Sequence, residues 1–210
     1  MDSLVGEAES VLVAGPVLSG RRRVLHRTLH ERSERPVLVS TRQPAGAARP
    51  THRRMAAAAA GTAAGDTAKS EVDAPVVVDC VTNAIGESPA DDGDETKYAQ
   101  HPSNLTSIGT KFTECVEERD EESVAVGIDT VSPLLAYADA SSVFRFLHIV
   151  VQKATAAGHP VVVGIDAGAH DEQTIEQFVP IFERVIETRR AGDERECRVR
   201  YPAPTEWRSI

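Results

Sequence analysis

The sequence predicts an α/β fold: a mainly parallel central sheet flanked by helices, with a C-terminal β-hairpin. Three observations carry this. Five Val-rich apolar runs recur along the chain, nearly continuous rather than alternating, as strands covered on both faces require. Helical apolar stripes separate several of them, and strands alternating with helices build parallel sheets. The C-terminal stretch instead reads strand, turn, strand, which is an antiparallel hairpin.

The elements follow in chain order. "SVLVAG" from Ser10 is the first strand, and Val24, Leu25, Thr28 and Leu29 form a helical stripe after it. "RPVLVST" from Arg35 and "APVVVDC" from Ala74 are the second and third. Ile108, Phe112 and Val116 precede the fourth strand, "SVAVGIDT" from Ser123. Val143, Phe144, Leu147, Val150 and Val151 give the clearest stripe and lead to "HPVVVGIDAG" from His159. Asp171 is placed to cap a helix through Ile175, Phe178 and Val179. "ERVIETRR", a turn at "AGDE" and "RECRVRYP" complete the hairpin.

Two segments are expected to be loose. Residues 44–73 are alanine-rich and low in complexity, with no aromatic anchor; they admit a short helix but are expected to form a mobile excursion, cut first near Arg53 or Arg54. Residues 86–103 are expected to be an acidic surface loop. Both belong to one domain spanning 1–210.

Composition sets the class. A chain of 210 residues can bury a core without staples. With aromatics at 4%, that core must be Val, Leu, Ile and Ala. No run approaches the roughly 18 apolar residues of a membrane span, and the start is acidic where a secretory signal is basic. A soluble, cytoplasmic protein without membrane contact is expected. Cys80, Cys115 and Cys197 are odd in number and lack a C-x-x-C pair, so buried reduced thiols are favoured over metal ligands. The net charge is -9, and lysine occurs only at Lys69, Lys97, Lys111 and Lys153. That bias suits a salty cytoplasm, where net charge maintains solubility; a GC-rich genome is the alternative. Residues 1–54 hold ten Arg against five acids, a net of +5, while the remainder holds 13 basic and 27 acidic residues. No aromatic interleaves these arginines, which disfavours nucleic acid and favours two complementary halves of one fold.

After the first strand comes the outline of a phosphate-binding loop. Gly15 and Gly20 frame four residues and a helix follows, so amides near Gly20 would face an anion. The working pattern places Lys and a hydroxyl after the second glycine, where this chain has Arg21 and Arg22. Arginine keeps a cation but not the compact ammonium. Arg22 replaces the hydroxyl that would hold magnesium. Asp129, ending the fourth strand, stands where a carboxylate would meet a magnesium-bound water. Asp79 and Asp166 end their strands similarly, which makes any one of the three less diagnostic, and capping the following turn or helix is at least as good a reading of these two. The anion site thus comprises Gly15, Ser19, Gly20, Arg21, Arg22 and Asp129. No catalytic residue is assigned, and no metal ligand. His26 and His30 are four apart, yet Arg27 follows where a metalloprotease has Glu; a solvated helix face is expected there. No G-x-S-x-G elbow or zinc spacing occurs.

This order of pieces, with "VAVGIDTVSPLLAYADASSVFRFLHIVVQKATAAGHPVVV" late in the chain, resembles the RecA superfamily and its KaiC-like branch abundant in haloarchaea. Asp129-Thr130-Val131-Ser132 matches the end of that family's Walker-B strand, with Thr130 where Ser is usual. The resemblance implies a three-layer P-loop NTPase fold. It also exposes departures. The family's paired glutamates after the second strand are replaced by Thr41, Arg42 and Gln43. With the loop altered too, the resemblance implies a catalytically degenerate, regulatory or scaffold protein acting on a protein partner or on its own copies. It requires no cofactor and retains at most residual nucleotide or phosphate binding. An ATP-binding protein or slow ATPase is the first alternative, and a nucleic-acid-binding recombinase relative the second.

Overall fold

A computed structural model describes residues 4–57, 73–85, 91–119 and 124–210. The described residues form one nine-stranded sheet with helices on both faces. The Val-rich runs are β1 (Ser10–Gly15), β2 (Val37–Ser40), β3 (Val76–Asp79), β5 (Val126–Asp129) and β6 (Val161–Asp166), with a short β4 (Thr96–Tyr98) between the third and fourth of them. The terminal hairpin is β7 (Arg184–Ala191) and β8 (Glu194–Tyr201), followed by β9 (Arg208–Ser209). The sheet order is β4-β3-β2-β5-β6-β1-β7-β8-β9. Every pairing from β4 to β7 is parallel, and β7-β8-β9 is antiparallel.

Pleating divides each Val-rich strand between two cores, because successive side chains point to opposite faces. Val11, Val13, Leu38, Val77 and Val162 join one core with α1 (Arg21–Arg32) and α2 (Ala45–Ala57). Leu12, Val37, Val39, Val78, Ile128 and Val163 join the other, against α3 (Leu105–Glu117), α4 (Ser132–Tyr137), α5 (Ala140–Ala156) and α6 (Glu172–Phe178). Phe112 and Phe178 are its largest fully buried helical side chains. Three helices start on side-chain caps. Asn104, Asp139 and Asp171 accept the amides of Ser107, Ser142 and Thr174, which satisfies donors no helical carbonyl can reach.

Two expectations need correction. Residues 45–57 are not an excursion but α2, with Ala45, Ala48, Thr51, His52 and Ala56 buried. Its small side chains allow close approach to α1, and Asp79 Oδ2 accepts the Ala45 amide at 2.7 Å. Pro50 lies in its interior. The rest of the expected excursion, 58–72, lies outside the described residues. Within the expected acidic loop, β4 pairs with β3, and Arg49 from α2 donates to Thr96 Oγ1 at 2.7 Å; residues 86–90 lie outside the described part. Cys80, Cys115 and Cys197 are buried and free, as expected. Among the described residues no helix is long and apolar enough to cross a membrane.

Candidate functional site

β1 lies between β6 and β7, so its carboxyl end opens at the centre of the sheet. There the chain must turn sharply into α1. A Cβ at Gly15 would stand 2.0 Å from Thr188 Oγ1 and 2.7 Å from its carbonyl, so only glycine lets β7 pass this closely. Gly20 has φ +94° and starts α1 with no side-chain cap. Between them Ser19 is fully buried, its Oγ 2.6 Å from Thr188 Oγ1 and its amide donating to the Pro16 carbonyl. Its hydroxyl thus braces the loop against β7, while its amide closes the turn on Pro16. Val17 and Leu18, at the loop tip, are exposed.

Arg21 folds back beneath the loop. Its guanidinium donates to the Gly15 carbonyl at 2.6 Å and lies 3.5 Å from Asp166 Oδ1, with 4% of the residue exposed. Burial lowers its pKa against the pull of Asp166, and arginine still remains cationic. Its Nε has no partner among the described residues.

Arg22 reaches the end of β5. Its Nε and Nη2 donate to Asp129 Oδ2 at 2.9 and 2.6 Å, and Nη2 also reaches Gln43 Oε1 at 3.1 Å. The His26 Nε2 lies 3.5 Å from the same carboxylate oxygen. Burial works against ionisation of Asp129, but His26 and the Arg22 guanidinium outweigh it and hold the carboxyl well below its usual range. Thr130, joined to Asp129 by a cis peptide, is tied to β2: Thr41 Oγ1 accepts its amide at 2.9 Å and donates to its carbonyl at 2.5 Å. No carboxylate therefore projects from the segment after β2.

A divalent cation does not fit these residues. Magnesium at a working phosphate-binding loop needs a hydroxyl from the first turn of the following helix and access to a carboxylate at the end of a neighbouring strand, here the positions of Arg22 and Asp129. Here the first turn offers Arg22, and its guanidinium occupies the Asp129 oxygen. The position that a metal would take carries a covalently attached positive charge.

His26 is another correction. It is fully buried rather than on a solvated face, and its Nδ1 lies 3.1 Å from His52 Nδ1 on α2. Burial first, then the positive surroundings of His26, His30 and Arg53, lowers the pKa of His52 to about 3. Asp79 and Asp166 behave as turn caps: Asp79 accepts the amides of Val81 and Thr82, and Asp166 that of Gly168. Asp166 also carries the contact to Arg21.

Above the loop lies a cavity of about 400 Å³ walled by six arginines: Arg21, Arg22 and Arg23 from α1, Arg42 after β2, Arg54 from α2 and Arg195 from β8. Among the described residues, none that lines it is acidic. The site residues read from sequence are thus adjacent, but Arg42, Arg54 and Arg195 join them from segments with no motif. The excess charge of residues 1–54 was the available signal for the first two.

Comparison with solved structures places this architecture. The uncharacterized protein PH0321 from Pyrococcus horikoshii, solved in complex with an unknown peptide, is 11% identical. It aligns over 97% of this chain and 93% of its own, with a TM-score of 0.61. The KaiC-like protein PH0186 from Pyrococcus horikoshii OT3 is 16% identical over 96% of this chain and 82% of its own, with a TM-score of 0.55. The expected fold is therefore present, a KaiC-like arrangement of the RecA type. No curated protein matched the sequence. A family profile covers residues 8–188, and on that extent the chain belongs to the family described as "Family of unknown function (DUF7504)".

Proposed function

We propose that this chain is a KaiC-like domain that has lost magnesium-dependent phosphoryl transfer and acts as a regulatory or scaffold module, through a protein partner or its own copies. The Arg22–Asp129 pair carries the reading. Phosphoryl transfer requires positioning, charge neutralisation by metal and an oriented nucleophile. Arg22 sits against the carboxylate the metal would use, and a cation about 4 Å from another is repelled by roughly 4 kcal/mol at an effective dielectric near 20. Thr41 and Arg42 stand where water-orienting glutamates would be, and the Thr41 hydroxyl is committed to Thr130. Exposed Val17 and Leu18 at the loop tip give a partner an apolar contact, and a peptide accompanies one structural neighbour. The halophilic setting read from the acidic composition belongs to the same proposal. Nucleic acid is a weaker reading. Trp207, the chain's single tryptophan, is already packed against the Arg189 and Arg198 guanidinium groups, 4.0 and 4.6 Å from the ring centre, so it is engaged within the hairpin.

Phosphate release from Mg-ATP at molar KCl tests the proposal, with Gly20→Asp as the loop-disrupting control. Background release from both proteins is expected. Turnover by the wild type that disappears in the variant would show a working arginine loop and end this reading.

A further inference from the structure

We propose that the outer face of α3 and α5 is a two-fold docking surface for a second copy of this chain, centred on Ile149. It rests on the self-association half of the reading above and is independent of whether phosphoryl transfer is lost.

α5 does not spend all its large apolar side chains on the core. Val143, Leu147, Val150 and Val151 are buried, yet Ile149 is 64% exposed. Beside it a groove of about 640 Å³ runs between α5 and α3. Gly109 of α3 faces the Phe146 ring of α5 there, and a Cβ on it would stand 3.8 Å from that ring. The two helices run parallel: Lys153, late in α5, donates to Thr113 and Glu117, late in α3, at 3.3 and 3.1 Å. An apolar side chain left in water beside an open groove forgoes the free energy of burial.

Charge selects the occupant. Arg145, Ile149 and Lys153 are four apart and share the outer stripe of α5. The outer stripe of α3 ends in Glu114 and Glu117. Lys153 already pairs with Glu117, whereas Arg145 donates to Ser142 Oγ at 3.1 Å and forms no ion pair among the described residues. A second copy turned about a two-fold axis near Ile149 lays its α5 antiparallel to this one. Its Ile149 then enters the groove between Gly109 and Thr113, and its Arg145 arrives at the end marked by Glu114 and Glu117. Apolar knob and groove, unpaired cation and acids all lie in one patch, as an isologous contact requires. A partner of uniform charge would instead set like charges against one half of it.

Sedimentation velocity on the whole chain in molar KCl, and again at the lowest salt that keeps it folded, tests this. A monomer–dimer equilibrium is expected. Ile149→Asp should raise its dissociation constant at least about tenfold. Its melting curve in dilute solution should match the wild type's, since the side chain is exposed. Arg145→Glu is the second variant, read at low salt because a Debye length of about 3 Å at 1 M screens exposed pairs. It should weaken the dimer, and adding Glu117→Arg should restore part of the affinity, a rescue that a merely structural role would not give. Tyr137→Asp, at another exposed apolar position, should leave the equilibrium unchanged. A chain monomeric at every concentration, a dimer indifferent to Ile149→Asp, an equal response to Tyr137→Asp, or no rescue by the second reversal would each overturn the proposal. Phosphate release is read separately, so the loss of phosphoryl transfer is decided on its own.

Discussion

Arg22 and Asp129 test the site at the level of single side chains. Removing one member of a buried pair leaves the other charged and unsolvated, which costs about 3–5 kcal/mol. In a chain of this size each kcal/mol moves the melting temperature by roughly 2–4 °C. Arg22→Ala is therefore expected to lower it by about 10 °C, and adding Asp129→Asn should recover part of the loss, measured by calorimetry. His52 makes a different prediction. Its unfolded pKa is near 6.5 and its folded one about 3, so between these values the unfolded chain binds a proton that the folded chain refuses. Its contribution is complete above about pH 6.5 and declines as the pH falls toward 3. His52→Gln should flatten the fall of melting temperature between pH 6.5 and 4. Asp129 acts lower, its stabilisation being lost only as pH drops below about 4, the unfolded carboxylate value. A variant that melts with the wild type's pH slope would show that His52 is not excluded from protonation by its neighbours. Little of this was legible in the sequence. The loop glycines stand in a local pattern, but the ion pair joins positions 107 apart, and the His26–His52 contact depends on where α2 docks.

α2 shows the corresponding limit for whole elements. The Val-rich strands are legible because burial on both faces writes itself as a continuous apolar run. Helices α3 and α5 are legible because their stripes face one core. α2 offers alanines and a proline instead, and what holds it comes from elsewhere: Asp79 on its first amide and the surface of α1 along its side. β4 is similar, a three-residue edge held by β3 and Arg49. Amide hydrogen exchange distinguishes a docked α2 from the mobile segment its composition predicts. Thr51 to Ala56 should exchange on the slow timescale of α1. Exchange at the rate of an unstructured peptide would show that alanine packing alone does not hold the helix.

For the whole molecule, the governing feature is that the first strand sits deep inside the sheet. Val11 pairs with Val162 on one side and Arg184 on the other, so β1 and its loop are built from both ends of the chain. A chain ending before Arg184 would leave β1 with an open side and remove Thr188, against which Gly15 and Ser19 are fitted. Such a truncation is expected to lose cooperative thermal unfolding by circular dichroism; a sharp transition would show that the hairpin is dispensable. The same placement has a kinetic consequence. During synthesis β1 and α1 emerge early, but neither neighbour of β1 exists until most of the chain has been made. Its apolar strand must wait unpaired through that interval, and loop closure over such separations is slow. Folding of this protein is therefore set by its last strands, and an early, exposed Val-rich segment is where chaperones and misassembly compete for it.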